Sequence, residues 1–214
     1  MVQMLVKEAI IQFFRQKNVA HIFHLPGIHT LPLNEALERR DISVFTGRHE
    51  ASCVFMADGY ARASRSLGVV VVTPGPGLGN TVTGCMEAWD DGVPLLVVHI
   101  DSDRGRQKKG SFHGTADSGS LMSDVTKARF SVQEPGQVLP MLEAACLSAG
   151  TERRGPVLVS IPHTLFEKRV PVSSATPAEG RSEGCSPQLS GLQDMLAGKR
   201  RPVIIGGGAL ARSG

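Results

Sequence analysis

Glu50 and the segment 74–80 are the two places where this sequence concentrates residue types with chemical use. Glu50 follows a short apolar run, 42–46, and opens the stretch 49–63. There Val54, Phe55, Asp58 and Ala61 fall near one helical face. A carboxylate in a first helical turn is stabilised by the helix dipole, so position alone favours a structural explanation for Glu50. The segment Pro74-Gly75-Pro76-Gly77-Leu78-Gly79-Asn80 joins the most hydrophobic run of the chain to a helical pattern. Glycines there remove side-chain bulk and let backbone approach a ligand, but the same residues also make a tight turn. The segment is not a Walker A loop, because no Gly-Lys-Ser/Thr follows. It is not GxGxxG either, because Asn80 stands where the third glycine belongs. The seven histidines, His21, His24, His29, His49, His99, His113 and His163, include no HExxH pair. No GxSxG elbow occurs, so these patterns point to neither a metal site nor a serine hydrolase.

The elements that must position these groups alternate between two periods. Helical spacing is expected over 2–17, 31–39, 49–63, 81–89 and 136–149, with Asn80 capping the fourth helix. Short apolar runs at 20–25, 42–46, 68–73, 94–100, 129–132 and 157–161 read as strands. The four successive valines Val69 to Val72 fit a strand buried on both faces, as in parallel sheets. The fold class is α/β: an open parallel sheet of about six strands with helices on both faces. Ligands of such sheets bind beyond the carboxyl ends of the strands. The loops after Leu25, Thr46 and Thr73 are therefore the places to look.

The bulk numbers bound the function classes. Lys and Arg number 23 against 20 Asp and Glu, a net charge of +3, which gives no footprint for nucleic acid. The basic groups 104–109 and 199–201 are short and separate, as solvated loops are. Cys53, Cys85, Cys146 and Cys185 form no CxxC pair, and three of them lie in apolar stretches, which favours a reducing compartment and a cytoplasmic location. No run reaches the ~18 apolar residues of a membrane span, and the N-terminus lacks a signal-peptide plan. Residues 170–187, rich in Ser, Pro, Ala and Gly, read as an interdomain linker. After it, a short helix over 189–197 and a strand over 202–205 lead into three glycines. One helix and one strand cannot bury a core, so this chain is expected to be part of a longer protein.

Taken in order, the motifs resemble something specific. They run Leu25-Pro26-Gly27, Leu31-Pro32-Leu33, Arg48-His49-Glu50-Ala51 and Ala57-Asp58-Gly59-Tyr60-Ala61-Arg62. Thr73-Pro74-Gly75-Pro76-Gly77, Asn80, Gly84, Ala88, Pro94-Leu95, Val125-Thr126-Lys127, Gly155-Pro156-Val157 and Ile161-Pro162 follow. The combination is similar to the N-terminal domain of the acetolactate synthase, pyruvate oxidase and benzoylformate decarboxylase group of thiamine-diphosphate-dependent enzymes. The resemblance covers about residues 1–169, with 170–187 as linker and 188–214 like the start of that group's central domain.

The resemblance implies the pyrimidine-binding domain of the thiamine-diphosphate-binding fold, in a carboligase or decarboxylase of 2-oxo acids most like acetolactate synthase. It implies that Glu50 hydrogen-bonds the N1′ nitrogen of the cofactor's aminopyrimidine and activates it. Pro26 and Gly27 would line the pyrimidine pocket, and Thr73, Pro76, Gly77 and Asn80 would pack on or bond to the cofactor. Ile28 and His113 would lie on the substrate side. His113 stands near a position where acetolactate synthases carry glutamine, which departs from a pyruvate-specific site. Benzoylformate decarboxylases place serine at the position of Ile28 and histidine at that of Thr73, and neither is present. Mg²⁺ would accompany the diphosphate, its ligands lying in a C-terminal domain with a GDG motif that this chain lacks, so no metal ligand is assigned here. Whether FAD binds is left open. A second subunit would close the site, as a homodimer or homotetramer, and the 214 residues alone are expected to be inactive. A stand-alone pyrimidine-domain subunit and a non-catalytic ligand-binding module on the same fold are the alternatives. The last requires Glu50 to be exposed.

Overall fold

A computed structural model gives the structure of the chain and describes residues 2–37, 42–102, 113, 117–151, 153–172, 191–203 and 205–207. The chain divides into two units, Met1–Thr176 and Pro177–Gly214.

In the first unit, six parallel strands form one sheet: β2 (His21–His24), β3 (Ser43–Thr46), β4 (Gly68–Val72), β5 (Leu95–Asp101), β6 (Ala128–Ser131) and β7 (Pro156–Pro162). Their order is β3-β2-β4-β5-β7-β6. β4, β5 and β7 lie at the centre and are buried throughout. Because side chains alternate across a strand, each central strand feeds two cores. Val69, Val71, Leu96, Val98, Val157 and Val159 enter one, packed by helices α1 (Val6–Gln16), α2 (Leu31–Leu37) and α7 (Val138–Gly150). Val70, Val72, Leu95, Val97 and Leu158 enter the other, packed by α3 (Glu50–Ser64) and α5 (Val82–Asp90). The expected α/β architecture, with helices on both faces, is the one found.

The order reverses between β2 and β4: β3 lies to one side of that pair, and β5, β7 and β6 to the other. α2, which follows β2, carries Leu33 and Leu37 into the first core. The helices after β4 carry Leu78, Cys85 and Ala88 into the second. The two connections leave the sheet toward opposite faces and open a crevice between them, the switch point at which doubly wound sheets bind ligands.

Five expectations are corrected. Residues 2–5 are not helical: β1 (Val2–Leu5) pairs antiparallel with β8 (Arg169–Val172), so backbone pairing decides their state over helical spacing. β8 also occupies 170–172, within the stretch whose composition reads as linker; residues 173–190, Cys185 among them, lie outside the described residues. Segment 74–80 is not all loop, since Pro76–Gly79 forms a helical turn, α4, with Pro at its first position where its missing N–H costs nothing. Asn80 does not cap α5: Thr81 holds that position, and the Asn80 amide is used elsewhere. In the second unit α8 (Leu192–Leu196) is present, but Pro202, Val203 and Ile205 form no strand. Val203 is 86% and Ile205 93% exposed, as expected of a segment with no paired strand. The residues after α2 up to Asp41, with Arg39 from the expected helix, and the basic group 104–109 lie outside the described residues.

Candidate functional site

Glu50 is the first residue of α3. The preceding residue, His49, is extended (φ −158°) and caps the helix by accepting the Ala51 N–H on its Nδ1 at 3.2 Å. The cap fixes where the helix begins and so where Glu50 projects. Its side chain is not in solvent: Glu50 is only 7% exposed. Asn80 Nδ2 donates to Glu50 Oε2 at 2.8 Å. Oε1 has no hydrogen-bond partner among the described residues. Cys53, one turn along, is fully buried, and burial pushes its thiol pKa up, with Glu50 adding to the effect.

The loops after β2 and β4 close on each other around this carboxylate. A Cβ on Gly27 would lie 2.5 Å from Thr73 Cγ2, and one on Gly77 would lie 2.3 Å from Thr73 Oγ1 and 3.4 Å from Glu50 Oε1. Thr73 is therefore clamped between two glycines from different loops, and no other residue fits at either without a shift of the chain. Gly75 is needed for a second reason: its φ is +58°, and a Cβ there would meet the His113 carbonyl oxygen at 2.6 Å.

Glu50, Gly27, Thr73, Gly77 and Asn80 are thus brought together, and they come from the two loops of the crevice and the head of α3. Pro76 is exposed at the start of α4. Ile28 is 70% exposed on the β2–α2 loop. Pro26 lines a cleft on the other side of that loop, with His24, Asn34 and Thr46. His113 lies against Gly75 through its backbone.

Sequence reading missed a group at the same sheet edge. The rings of His29 and His163 meet edge to face, 5.0 Å between centroids. His163 Nδ1–H donates to the carbonyl of Asp101 at 3.2 Å. Asp101 is fully buried, accepting the Ser102 N–H on Oδ1 at 2.8 Å and the Ser118 hydroxyl on Oδ2 at 3.4 Å. Burial first, then His163 and His113, lower the pKa of His29, while Asp101 raises it. The only signal available in the sequence was that His163 directly follows Pro162 and His29 stands three residues after Pro26; they are 134 positions apart and join only because β2 and β7 end at one edge. Among the described residues, no group of three or more His, Cys, Asp or Glu is placed to hold a metal ion.

Residues 4–121 match the family described as "Thiamine pyrophosphate enzyme, N-terminal TPP binding domain". The chain belongs to the thiamine pyrophosphate enzymes. The matched span contains Glu50, both glycine-bearing loops and Asn80. Among curated relatives of this family, a probable 2-ketoarginine decarboxylase of Pseudomonas aeruginosa is 36% identical over 95% of this chain and 38% of its own length. An acetolactate synthase large subunit of Lactococcus lactis is 32% identical over 97% of this chain and 37% of its own. A probable acetolactate synthase large subunit of Methanocaldococcus jannaschii is likewise 32% identical, over 97% and 36%. The chain thus spans a little over a third of the length of these relatives. No helix among the described residues is long and apolar enough to cross a membrane.

Proposed function

We propose that this chain is the pyrimidine-binding part of a thiamine-diphosphate-dependent carboligase or decarboxylase of 2-oxo acids, with Glu50 as the residue that activates the cofactor. The observation that carries the reading is the state of the Glu50 carboxyl: withdrawn from water, held on one oxygen by Asn80, and unpartnered on the other, which faces the Gly77 backbone.

The residues present fit an aminopyrimidine. The group needs one carboxyl oxygen for a ring nitrogen and backbone that can come close to a flat ring; Glu50 Oε1 and the Gly27–Thr73–Gly77 clamp supply these. Bound there, thiamine diphosphate supplies a carbon nucleophile for a 2-oxo carbonyl and accepts the electrons left by decarboxylation. Glu50 holds or releases a proton at the ring nitrogen. Asn80 fixes the carboxyl plane by its bond to Oε2, so that Oε1 rather than Oε2 meets the ring. Thr73 and the glycines set the depth of the ring by leaving no side chain above the strand ends. Ile28 and His113 border the substrate side. Mg²⁺ and the diphosphate would be held by a separate domain. A second subunit would pack on the exposed face of α3 and α5, where Phe55, Met56 and Met86 are 45%, 36% and 51% exposed.

The test is Glu50→Gln in the intact enzyme. It keeps the shape and the Asn80 contact region but removes the exchangeable carboxyl proton. Turnover should fall by about 10²–10⁴-fold, the range for losing a positioned acid–base group, with the fold unchanged by circular dichroism. Turnover within a few-fold of the native enzyme would remove Glu50 from the mechanism.

A further inference from the structure

On the outer side of the β2–α2 loop lies a cleft of about 410 Å³ between α2 and the carboxyl ends of β2 and the edge strand β3. It is separate in kind from the crevice around Glu50, and nothing in the proposed reaction uses it. Its floor is built oddly for a protein interior. His24 is 5% exposed, and its Nε2 lies 3.1 Å from Thr46 Oγ1, but its Nδ1 is buried with no hydrogen-bond partner. Asn34 Oδ1, on α2, is also buried and unpaired. Buried polar atoms in folded proteins almost always have a partner, so two orphans on residues that line one cleft mark a place where something else supplies the bonds.

The chemistry of the lining says what that something is. Burial lowers the pKa of His24, which keeps the ring neutral with one N–H and one lone pair. In the tautomer that gives Nε2–H to the Thr46 hydroxyl, Nδ1 presents the lone pair. Asn34 Oδ1 is a second acceptor, and the Glu35 carboxylate is a third, exposed at the rim. No Lys or Arg is among the lining residues described, while Leu31, Leu37, Val44 and Pro26 make the remaining wall apolar. Three acceptors, no cation among the described lining residues and an apolar wall fit a ligand that donates several N–H bonds from the end of an aliphatic stem.

We propose that this cleft binds a small organic cation, a guanidinium or primary ammonium group on a short alkyl chain, with His24 Nδ1 and Asn34 Oδ1 as its acceptors. The cation is either a free effector or the far end of a substrate, and the inference holds independently of the cofactor assignment.

Calorimetric titration of the chain with n-butylguanidinium and n-butylammonium tests it, with neutral n-butylurea and butyrate as controls. At least one cation binds, each control binds at least about tenfold more weakly, and Asn34→Leu weakens the cation by about tenfold or more, one hydrogen bond to a charged group. His24→Phe acts in the same direction; should that buried substitution unfold the chain, Asn34→Leu, at a half-buried helix position, still decides. Failure of both cations to bind at millimolar concentration, equal binding of butylurea or butyrate, or cation binding indifferent to Asn34→Leu overturns the proposal. Titration with a 2-oxo acid ending in a guanidinium separates the two sources. A gain of about tenfold or more over n-butylguanidinium supports a substrate end in the cleft, and equal affinity supports a free cation.

Discussion

The two sides of the β2–α2 loop are built on opposite principles. On the inner side Gly27, Thr73 and Gly77 interlock without room for a methyl group, and the polar groups are matched, Asn80 to Glu50 Oε2. On the outer side the wall is open, and His24 Nδ1 and Asn34 Oδ1 are unmatched. In the proposed reading the inner side takes a flat ring whose position is set by backbone. In the proposed reading the outer side takes a ligand that brings its own hydrogen bonds. The same few residues, 25–30, serve both because a loop at a switch point has a face toward each neighbouring strand.

Substitutions should separate the two sides in order of size. Glu50→Gln, with its loss of about 10²–10⁴ in turnover, has the largest effect, and confining the loss to kcat rather than stability would sharpen the contrast. Gly77→Ala places a methyl 2.3 Å from Thr73 Oγ1 and should destabilise the chain by about 3 kcal/mol, the upper range for overpacking. Urea unfolding measures it, and Thr73→Ala in the same chain should recover part of the loss; strict additivity would mean that the clamp does not exist. Asn80→Ala leaves Glu50 Oε2 without its donor and should cost about 1–2 kcal/mol by the same assay.

The outer side should respond weakly. Burial depresses the pKa of His24, so the unfolded chain takes up its proton first as pH falls. The stability that neutral His24 represents is complete above about pH 6.5 and drains away as pH falls through the lower folded value. Thermal unfolding between about pH 7 and 5 should therefore show a slope that His24→Phe flattens. Asn34→Leu, which deletes an oxygen with no partner, should change stability by less than about 1 kcal/mol or raise it. A loss matching that of Asn80→Ala would show that Asn34 is as well paired as Asn80, and the contrast between the two sides would fail.

Much of the inner site was legible in the sequence. Segment 74–80 could be a loop that lets backbone approach a ligand or a tight turn, and it forms a clamp on Thr73 followed by one helical turn. Glu50 at the head of α3 could be placed by helical spacing, but its burial could not, because it depends on Asn80, 30 positions away. Asn80 itself misled: an Asn before a helical pattern reads as a cap, and the carboxylate claimed its amide instead. The outer cleft and the His29–His163 pair left no trace in spacing. Residues 2–5 were misread for the same reason, since their partners are 169–172.

By itself the sequence determined the alternation of strand and helix, the buried middle of the sheet and the positions of glycines that tolerate no side chain. Those follow from local rules: period, backbone freedom and the burial preference of consecutive valines. Tertiary structure alone decided which loops meet, that Glu50 leaves water, and that His24 and Asn34 are left unpaired beside an open cleft. Strand order sets these, and strand order is a property of contacts between residues far apart in the chain, where no local pattern reaches.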